Sequence, residues 1–160
     1  MKSPFDDLQI EAAEVCEFFA VFARFEYAMK ATRYCGGDRH GNAVPDWRSL
    51  KDELGGAIAE SGDEVTNKAI GYLVNEPPLV QKFVDGRPEF REVPLDGNTL
   101  GAQAIEAAKR VRNNLFHGGK HTPHSPPERD AKLVQTAFAI LEACLKVDAE
   151  LNSEFERQLV

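Results

Sequence analysis

Long apolar runs, internal repeats and an excess of basic residues are all missing from this sequence. The most apolar stretch, residues 15–25, is interrupted by Glu17 and Arg24, so it is too short and too charged to span a bilayer. No repeat or low-complexity tract is present, which excludes a collagen-like or disordered chain. Lys and Arg number 19 against 26 Asp and Glu, a net charge of -7. This acidity weighs against broad, non-specific binding of nucleic acid, because such affinity comes mainly from neutralised phosphates.

Cysteine is also scarce. The three cysteines, Cys16, Cys35 and Cys144, form an odd set without metal-type spacing, which excludes a disulfide framework and favours a reducing compartment. The first residues, 1–7, carry no apolar run after their charge and do not resemble a signal peptide. We therefore expect a cytoplasmic protein with no membrane segment.

What is present is a chain of ordinary globular composition and size. Its 160 residues suit a single domain, 1–160, and are enough to bury a core without disulfides. The last residues, 150–160, are acidic and are expected to form a frayed tail.

Apolar residues recur mainly at helical spacing, which predicts an all-α bundle of four to five main helices. The predicted boundary signals are Ser3-Pro4 and Gly36-Gly37 for the first helix, Asp46 for the second, residues 61–63 and Pro77-Pro78 for the third, Asn98 or Thr99 and Gly118-Gly119 for the fourth, and Ser125 with Glu128 for the last. Residues 79–96 are expected to form one short irregular or hairpin segment. Asp85-Gly86 favours a tight turn there, while a helical turn and an extended loop fit almost as well.

The window from Lys109 to His124 is the most informative part of the chain. It contains no acidic residue, although the protein as a whole is acidic. Its basic residues are Lys109, Arg110, Arg112 and Lys120, and its clustered polar residues are Asn113, Asn114 and His117. Two glycines follow the histidine and predict a helix that ends just after it.

Helix geometry places several of these side chains on one flank of the fourth helix. At about 100° per residue, Arg112 lies about 80° from Ala104, and Asn113 and His117 lie at about 180° and 220°. Ile105 and Phe116 fall beside Arg112, a mixture typical of a face covered by a partner. A solvated helix end, whose cations offset the helix dipole, explains the same pattern.

The string Arg112-Asn113-Asn114-Leu115-Phe116-His117 near a helix end resembles the signature of HEPN domains, an arginine followed four to six residues later by a histidine. The wider segment 111–120 resembles a plasmid- and defence-associated HEPN-like branch. Residues 24–28 of the first helix and Asp46-Trp47 at the start of the second agree with that branch. The likeness spans most of the chain but is specific only in these segments.

This resemblance implies a metal-independent endoribonuclease of toxin or defence type, which forms a homodimer and needs no cofactor. His117 would act as general base or acid and Arg112 as the clamp on the phosphate. Asn113 would orient His117 or the phosphate. The implied partners are RNA, a second copy of the chain and an antitoxin or defence-system protein.

Other basic-window residues are assigned by proximity. Lys109, Arg110, Asn114 and Lys120 are expected to bind substrate. Glu26 and Lys30, at i and i+4 of the first helix, form either a surface ion pair or a support in which the carboxylate holds Arg112 or His117 across the bundle.

Two further interpretations stay open at this point. A metal site at His117, His121 and His124 is disfavoured, because no cysteine or carboxylate joins them locally. The alternative function is a non-catalytic HEPN-like helical module that binds a protein or a nucleotide, which the acidic surface and the mixed apolar and basic flank also suit.

Overall fold

A computed structural model describes residues 9–116 and 126–157. In these residues it contains six helices and two separate two-stranded antiparallel sheets. The helices are α1 Ala12–Lys30, α2 Trp47–Ala59, α3 Glu64–Asn75, α4 Leu100–Phe116, α5 Pro127–Val147 and α6 Ala149–Glu156. The strands are β1 Cys35–Gly37, β2 Ala43–Pro45, β3 Val80–Val84 and β4 Arg87–Arg91.

The prediction of an all-α bundle of four to five helices is wrong, since the described residues form a mixed α and β fold. The first correction lies at Gly36-Gly37, which was expected to end the first helix. The helix ends earlier, at Lys30, and these glycines form β1, where Gly36 pairs with Val44 of β2. Glycine is a poor helix former, and the Asp38 carboxylate fixes the turn between the strands by accepting from the backbone N–H groups of His40 and Asn42.

The hairpin formed by β3 and β4 confirms one of the structures predicted for residues 79–96. The sequence left a hairpin, a helical turn and an extended loop open for residues 79–96, and the hairpin is the structure that forms. Asp85 and Gly86 make its turn with φ of 48° and 82°. Both values lie in the left-handed region that a two-residue hairpin turn requires.

The second correction concerns the C-terminal residues. Fraying was expected over 150–160, but a sixth helix covers most of that range. Asp148 caps α6 by accepting from the Leu151 backbone N–H at 3.0 Å, and the Leu151 side chain is fully buried. From α1, the Arg24 guanidinium donates to the carbonyl oxygen of Phe155 at 2.8 Å. Residues 158–160 lie outside the described residues.

Several predicted boundaries are confirmed. The Asp46 carboxylate accepts from the Ser49 backbone N–H at 3.1 Å, and of the two candidate caps of α4 it is Thr99 that accepts, from Ala102 at 3.1 Å. The signals at Ser3-Pro4, Gly118-Gly119 and Ser125 lie outside the described residues.

The core gathers the inner faces of all six helices. Three phenylalanines of α1, Phe18, Phe22 and Phe25, are almost completely buried. Trp47, the first residue of α2, lies 5.5 Å from the Phe22 ring. No helix in the two described ranges is long and apolar enough to cross a membrane.

The position of α4 is set by a very close approach to α2. A Cβ atom added at Gly101 would lie only 2.0 Å from the carbonyl oxygen of Gly55. Only glycine allows the two backbones to come this close. The N-terminal end of α4 is therefore fixed against α2, and this contact determines where the polar C-terminal half of α4 lies.

Candidate functional site

The polar residues of α4 fall on two different faces. At about 100° per residue, Lys109, Arg112 and Asn113 lie within about 100° of one another, whereas Arg110 and Asn114 lie on the opposite flank. On the first face, Arg112 contacts α1. On the second face, Arg110 and Asn114 contact the residues just after and just before the β3–β4 hairpin.

On the first face, Arg112 is held by two polar partners. Its guanidinium donates to the Glu26 carboxylate of α1 and, at 2.8 Å, to the carboxamide oxygen of Asn113. The side chains of Arg112 and Glu26 are 23% and 21% exposed, so the ion pair is partly sheltered from water and screened less than a surface pair. Two roles were predicted for Glu26, a surface ion pair with Lys30 or a support for Arg112 or His117. In the structure, Glu26 contacts Arg112.

Aromatic rings hold the same guanidinium from its sides. Its central carbon lies 5.2 Å from the centroid of Phe22 and 5.6 Å from that of Phe116. Phe116 in turn stacks on Phe19 of α1, with the centroids 4.1 Å apart and the rings inclined by 27°. These cation–π contacts and the two hydrogen bonds restrict the direction in which Arg112 points.

The second face places Arg110 in the framework of the fold. Arg110 was expected to bind substrate, but it is buried and donates to the carbonyl oxygens of Val93 at 2.6 Å and Pro94 at 2.7 Å. Glu106, one turn earlier, accepts from Arg110 and from the buried Lys51 ammonium. All of these donors are directed at protein acceptors, so Arg110 ties the 93–94 segment to α4.

Asn114 has a similar position. It was also expected to bind substrate, but its carboxamide donates to the carbonyl oxygen of Leu79 at 2.8 Å, just before β3. It also lines a small apolar cleft with Val111 of α4 and Leu133 and Val134 of α5. The structure therefore brings Asn114 to the packing side of the helix.

The remaining predicted residues are only partly placed. Lys109 is half-buried on the same face as Arg112, and Lys30 is exposed at the end of α1. Glu26 pairs with Arg112 across the bundle, not with Lys30 in the next turn. His117 and Lys120 lie outside the described residues, as do His121 and His124.

The aromatic neighbours of Arg112 were missed as part of the site. A signal for them exists in the sequence, because Phe19, Phe22 and Glu26 are spaced three and four residues apart and so lie on one face of α1. Nothing local, however, indicates that this face meets Arg112.

A second polar cluster was also missed, and it lies where α1, α2 and α6 meet. The fully buried Tyr34 hydroxyl donates to the Asp148 carboxylate at 2.6 Å, and Arg33 donates to the same oxygen at 2.6 Å. Burial and the bond to Asp148 raise the pKa of Tyr34 above its ordinary value. Burial acts to raise the pKa of Asp148, but its hydrogen bonds from Leu151, Tyr34 and Arg33 outweigh burial and lower it. Because every partner is satisfied within the chain, this cluster fixes the fold.

Comparison of the chain with protein-family models, curated proteins and solved structures found no match in any of the three. Within residues 9–116 and 126–157, no group of three or more His, Cys, Asp or Glu side chains is arranged to hold a metal ion. What the first face of α4 offers chemically is a fixed, partly exposed guanidinium. Such a group binds an oxyanion such as phosphate.

Proposed function

We propose that this chain is a metal-independent endoribonuclease of HEPN type that acts in the cytoplasm in a toxin or defence role. The observation that carries the proposal is the setting of Arg112. Its guanidinium is partly exposed, oriented by Glu26 and Asn113, and five residues before His117 in the sequence.

The contacts of Arg112 suit a phosphate clamp. A guanidinium has five N–H donors, and Glu26 and Asn113 account for two of them. The other three donors make no hydrogen bond to any residue that the structure describes, and the two side-chain partners restrict rotation of the planar group. A donor fixed before the substrate arrives stabilises developing negative charge at little cost in reorganisation.

The chemistry we propose is attack within the RNA strand. The imidazole of His117 removes the proton from a ribose 2′-hydroxyl, whose oxygen then bonds to the adjacent phosphorus. The bond from phosphorus to the 5′-oxygen of the next nucleotide breaks, and that oxygen takes up a proton. Arg112 stabilises the extra negative charge on the phosphoryl oxygens. The products are a 2′,3′-cyclic phosphate and a 5′-hydroxyl.

A two-fold homodimer completes this scheme. One histidine supplies the base, and cleavage also needs an acid for the leaving oxygen. A second copy of the chain brings a second His117 to a shared cleft by symmetry.

The three cysteines of the sequence are free thiols in this structure, as a cytoplasmic protein would have them.

Cleavage of RNA in EDTA tests the proposal. Wild-type protein is expected to cut single-stranded RNA to 2′,3′-cyclic phosphate products and to leave DNA of the same sequence intact. His117→Ala and Arg112→Ala are each expected to lower the rate at least about 100-fold, the range for loss of a general acid–base group or a charge-stabilising donor. Lys68→Ala is the matched control, since Lys68 pairs only with Glu64 on the outer surface of α3 among the contacts seen.

Two results would contradict the proposal. Cleavage that persists in both His117→Ala and Arg112→Ala would remove these residues from the reaction. Binding of RNA or a nucleotide without any cleaved product would favour the non-catalytic binding module, for which the sheltered Arg112–Glu26 pair and its surrounding rings are the supporting observation.

A further inference from the structure

The face that carries Arg112 continues into two exposed aromatic rings. Phe19 of α1 is 51% exposed and Phe116 of α4 is 36% exposed, although the two rings stack on each other. The three other phenylalanines of α1 are almost completely buried. Because burying a phenylalanine side chain stabilises a protein, an exposed pair of rings beside a candidate site suggests contact with a ligand.

The chemistry around the pair matches a nucleotide. The Arg112 guanidinium lies 5.6 Å from the Phe116 centroid, so a flat apolar surface and a cation share one place. A nucleotide presents the complementary groups, a planar base and a phosphate. Ring stacking binds any base, because every base has a π-face.

The charges near the rings are compatible with RNA. Glu26, the carboxylate nearest to Arg112, is paired with it. Lys109 lies on the same face of α4 as Phe116, about 20° away around the helix. Glu17, the nearest exposed acid along α1, lies about 160° from Phe19 around that helix.

We propose that the stacked pair of Phe19 and Phe116 is the base-binding surface of this site and restricts it to unpaired nucleotides. The inference rests on the proposed ribonuclease function and specifies its substrate class. In an A-form duplex both faces of every base are covered by its neighbours, so a base reaches a protein ring only when it is unpaired and splayed out. Single-stranded RNA and loops are therefore substrates, and a continuous duplex is not.

Binding to an uncleavable RNA tests this step separately from catalysis. The probe is a fluorescent single-stranded 12-mer with 2′-O-methyl groups, which block the attacking hydroxyl, and the comparison is the same strand annealed to its complement. Wild-type protein is expected to bind the single strand at least about 10-fold more tightly than the duplex. Phe19→Ala and Phe116→Ala are each expected to weaken binding of the single strand about 5- to 100-fold, the range for loss of one base–aromatic stack.

Two further variants show that the effect comes from stacking. Phe19→Trp retains an aromatic face, so binding should be kept and the new indole fluorescence should be quenched by RNA. Phe83→Ala is the matched control, because Phe83 is the most exposed phenylalanine of the described residues, at 81%, and lies on β3, whereas the rings against Arg112 are those of Phe22 and Phe116. Its removal should leave binding unchanged.

The outcomes separate this inference from the proposed function. If wild-type protein cleaves RNA but Phe19→Ala neither weakens binding nor slows cleavage, the stacking surface is wrong and the ribonuclease stands. If no cleavage occurs but single-strand binding still depends on Phe19 and Phe116, the stacking surface stands and the ribonuclease is wrong. If Phe19→Ala halves the mass in solution and Phe19→Trp shows no quenching by RNA, the pair is an interface between two copies and the inference is overturned.

Discussion

Arg110 and Arg112 are separated by a single residue of the same helix, yet their surroundings have little in common. Arg110 is buried and donates to two backbone carbonyls and to Glu106. Arg112 is partly exposed, lies against the rings of Phe22 and Phe116, and forms an ion pair with the Glu26 carboxylate of α1. Both residues belong to the same acid-free window of the sequence.

The comparison shows that helix position decides what a cation in this window does. Two residues correspond to a rotation of about 200°, which turns Arg110 toward the segment before α4 and Arg112 toward α1. Buried donors must be satisfied by the protein, and a partly exposed one keeps donors for a ligand. Helix α4 thus has a structural face, which carries Arg110 and Asn114, and a candidate functional face, which carries Arg112 and Asn113.

The largest effect is expected from Gly101→Ala, which would disturb both faces together. The added Cβ would lie 2.0 Å from the Gly55 carbonyl oxygen, so α4 must move away from α2. We expect a loss of about 3 kcal/mol in the free energy of unfolding, measured by denaturant titration, together with a loss of RNA cleavage. Gly56→Ala is the control, because nothing lies within 4 Å of its added Cβ and alanine in a helix is favoured by about 1 kcal/mol. Equal stability of the two variants would mean that this contact does not position α4.

Comparison of Arg110→Ala with Arg112→Ala should distinguish the structural role of Arg110 from the proposed role of Arg112 in cleavage. Arg110→Ala removes the side-chain donor of the Val93 and Pro94 carbonyls and one of the two donors of Glu106, which keeps Lys51, and we expect the free energy of unfolding to fall by about 2 to 3 kcal/mol. Cleavage per folded molecule should be retained. Arg112→Ala should lower stability by only about 1 kcal/mol while it abolishes cleavage. An equal stability loss in both variants would assign Arg112 to the structural face.

The neighbouring asparagines repeat the test on a smaller scale. Asn114→Ala loses the hydrogen bond to the Leu79 carbonyl and should lower the free energy of unfolding by about 1 kcal/mol without slowing cleavage. Asn113→Ala loses the contact that orients Arg112, so it should slow cleavage with a smaller effect on stability. Thermal unfolding and initial cleavage rates of the two variants measure both effects. The reverse assignment would contradict the two-face description.

The smallest effect is expected in the pH dependence of the free energy of unfolding, through the contact between Lys51 and Asp96. The hydrogen bond and charge of the Lys51 ammonium lower the pKa of Asp96, so the ionised form of Asp96 favours the folded state. This contribution is complete above the unfolded pKa of about 3.9 and is lost as the pH falls through the lower folded value. The free energy of unfolding should therefore fall less steeply from pH 4 to pH 2 in Asp96→Asn than in wild-type protein. Parallel curves would show that the Lys51–Asp96 contact adds nothing in solution.

Features set within a few residues could be predicted from the sequence. The caps at Asp46 and Thr99 and the Asp85-Gly86 turn depend on short hydrogen bonds and on local backbone preferences. The failures involve distant partners. Gly36 and Gly37 pair with Val44 and Ala43, which lie eight and six residues further on, and α6 is held by the packing of Leu151 and by Arg24 of α1.

The candidate site divides in the same way. The acid-free window and the common face of Arg112 and Asn113 follow from residue order and helix geometry. The pairing of Arg112 with Glu26, which joins residues 86 positions apart, and the stacking of Phe116 on Phe19 do not. In the sequence, Arg110 and Asn114 look as well suited to binding substrate as Arg112 and Asn113 do. Their acceptors are the backbone carbonyls of Val93, Pro94 and Leu79. Because every residue has a backbone carbonyl, no residue type in the sequence marks these contacts.

By itself, the sequence determined five of the six helical segments in outline, the caps at Asp46 and Thr99 and the concentration of cations and amides near the end of α4. Only the tertiary structure decided which of those side chains bond to the rest of the fold, as Arg110 and Asn114 do, and which stay partly exposed, as Arg112 does. The physical reason is that the role of a long polar side chain depends on the groups with which it forms hydrogen bonds. Those groups are brought to it by the packing of α1, α2 and the β3–β4 segment around α4, which no local pattern of residues specifies.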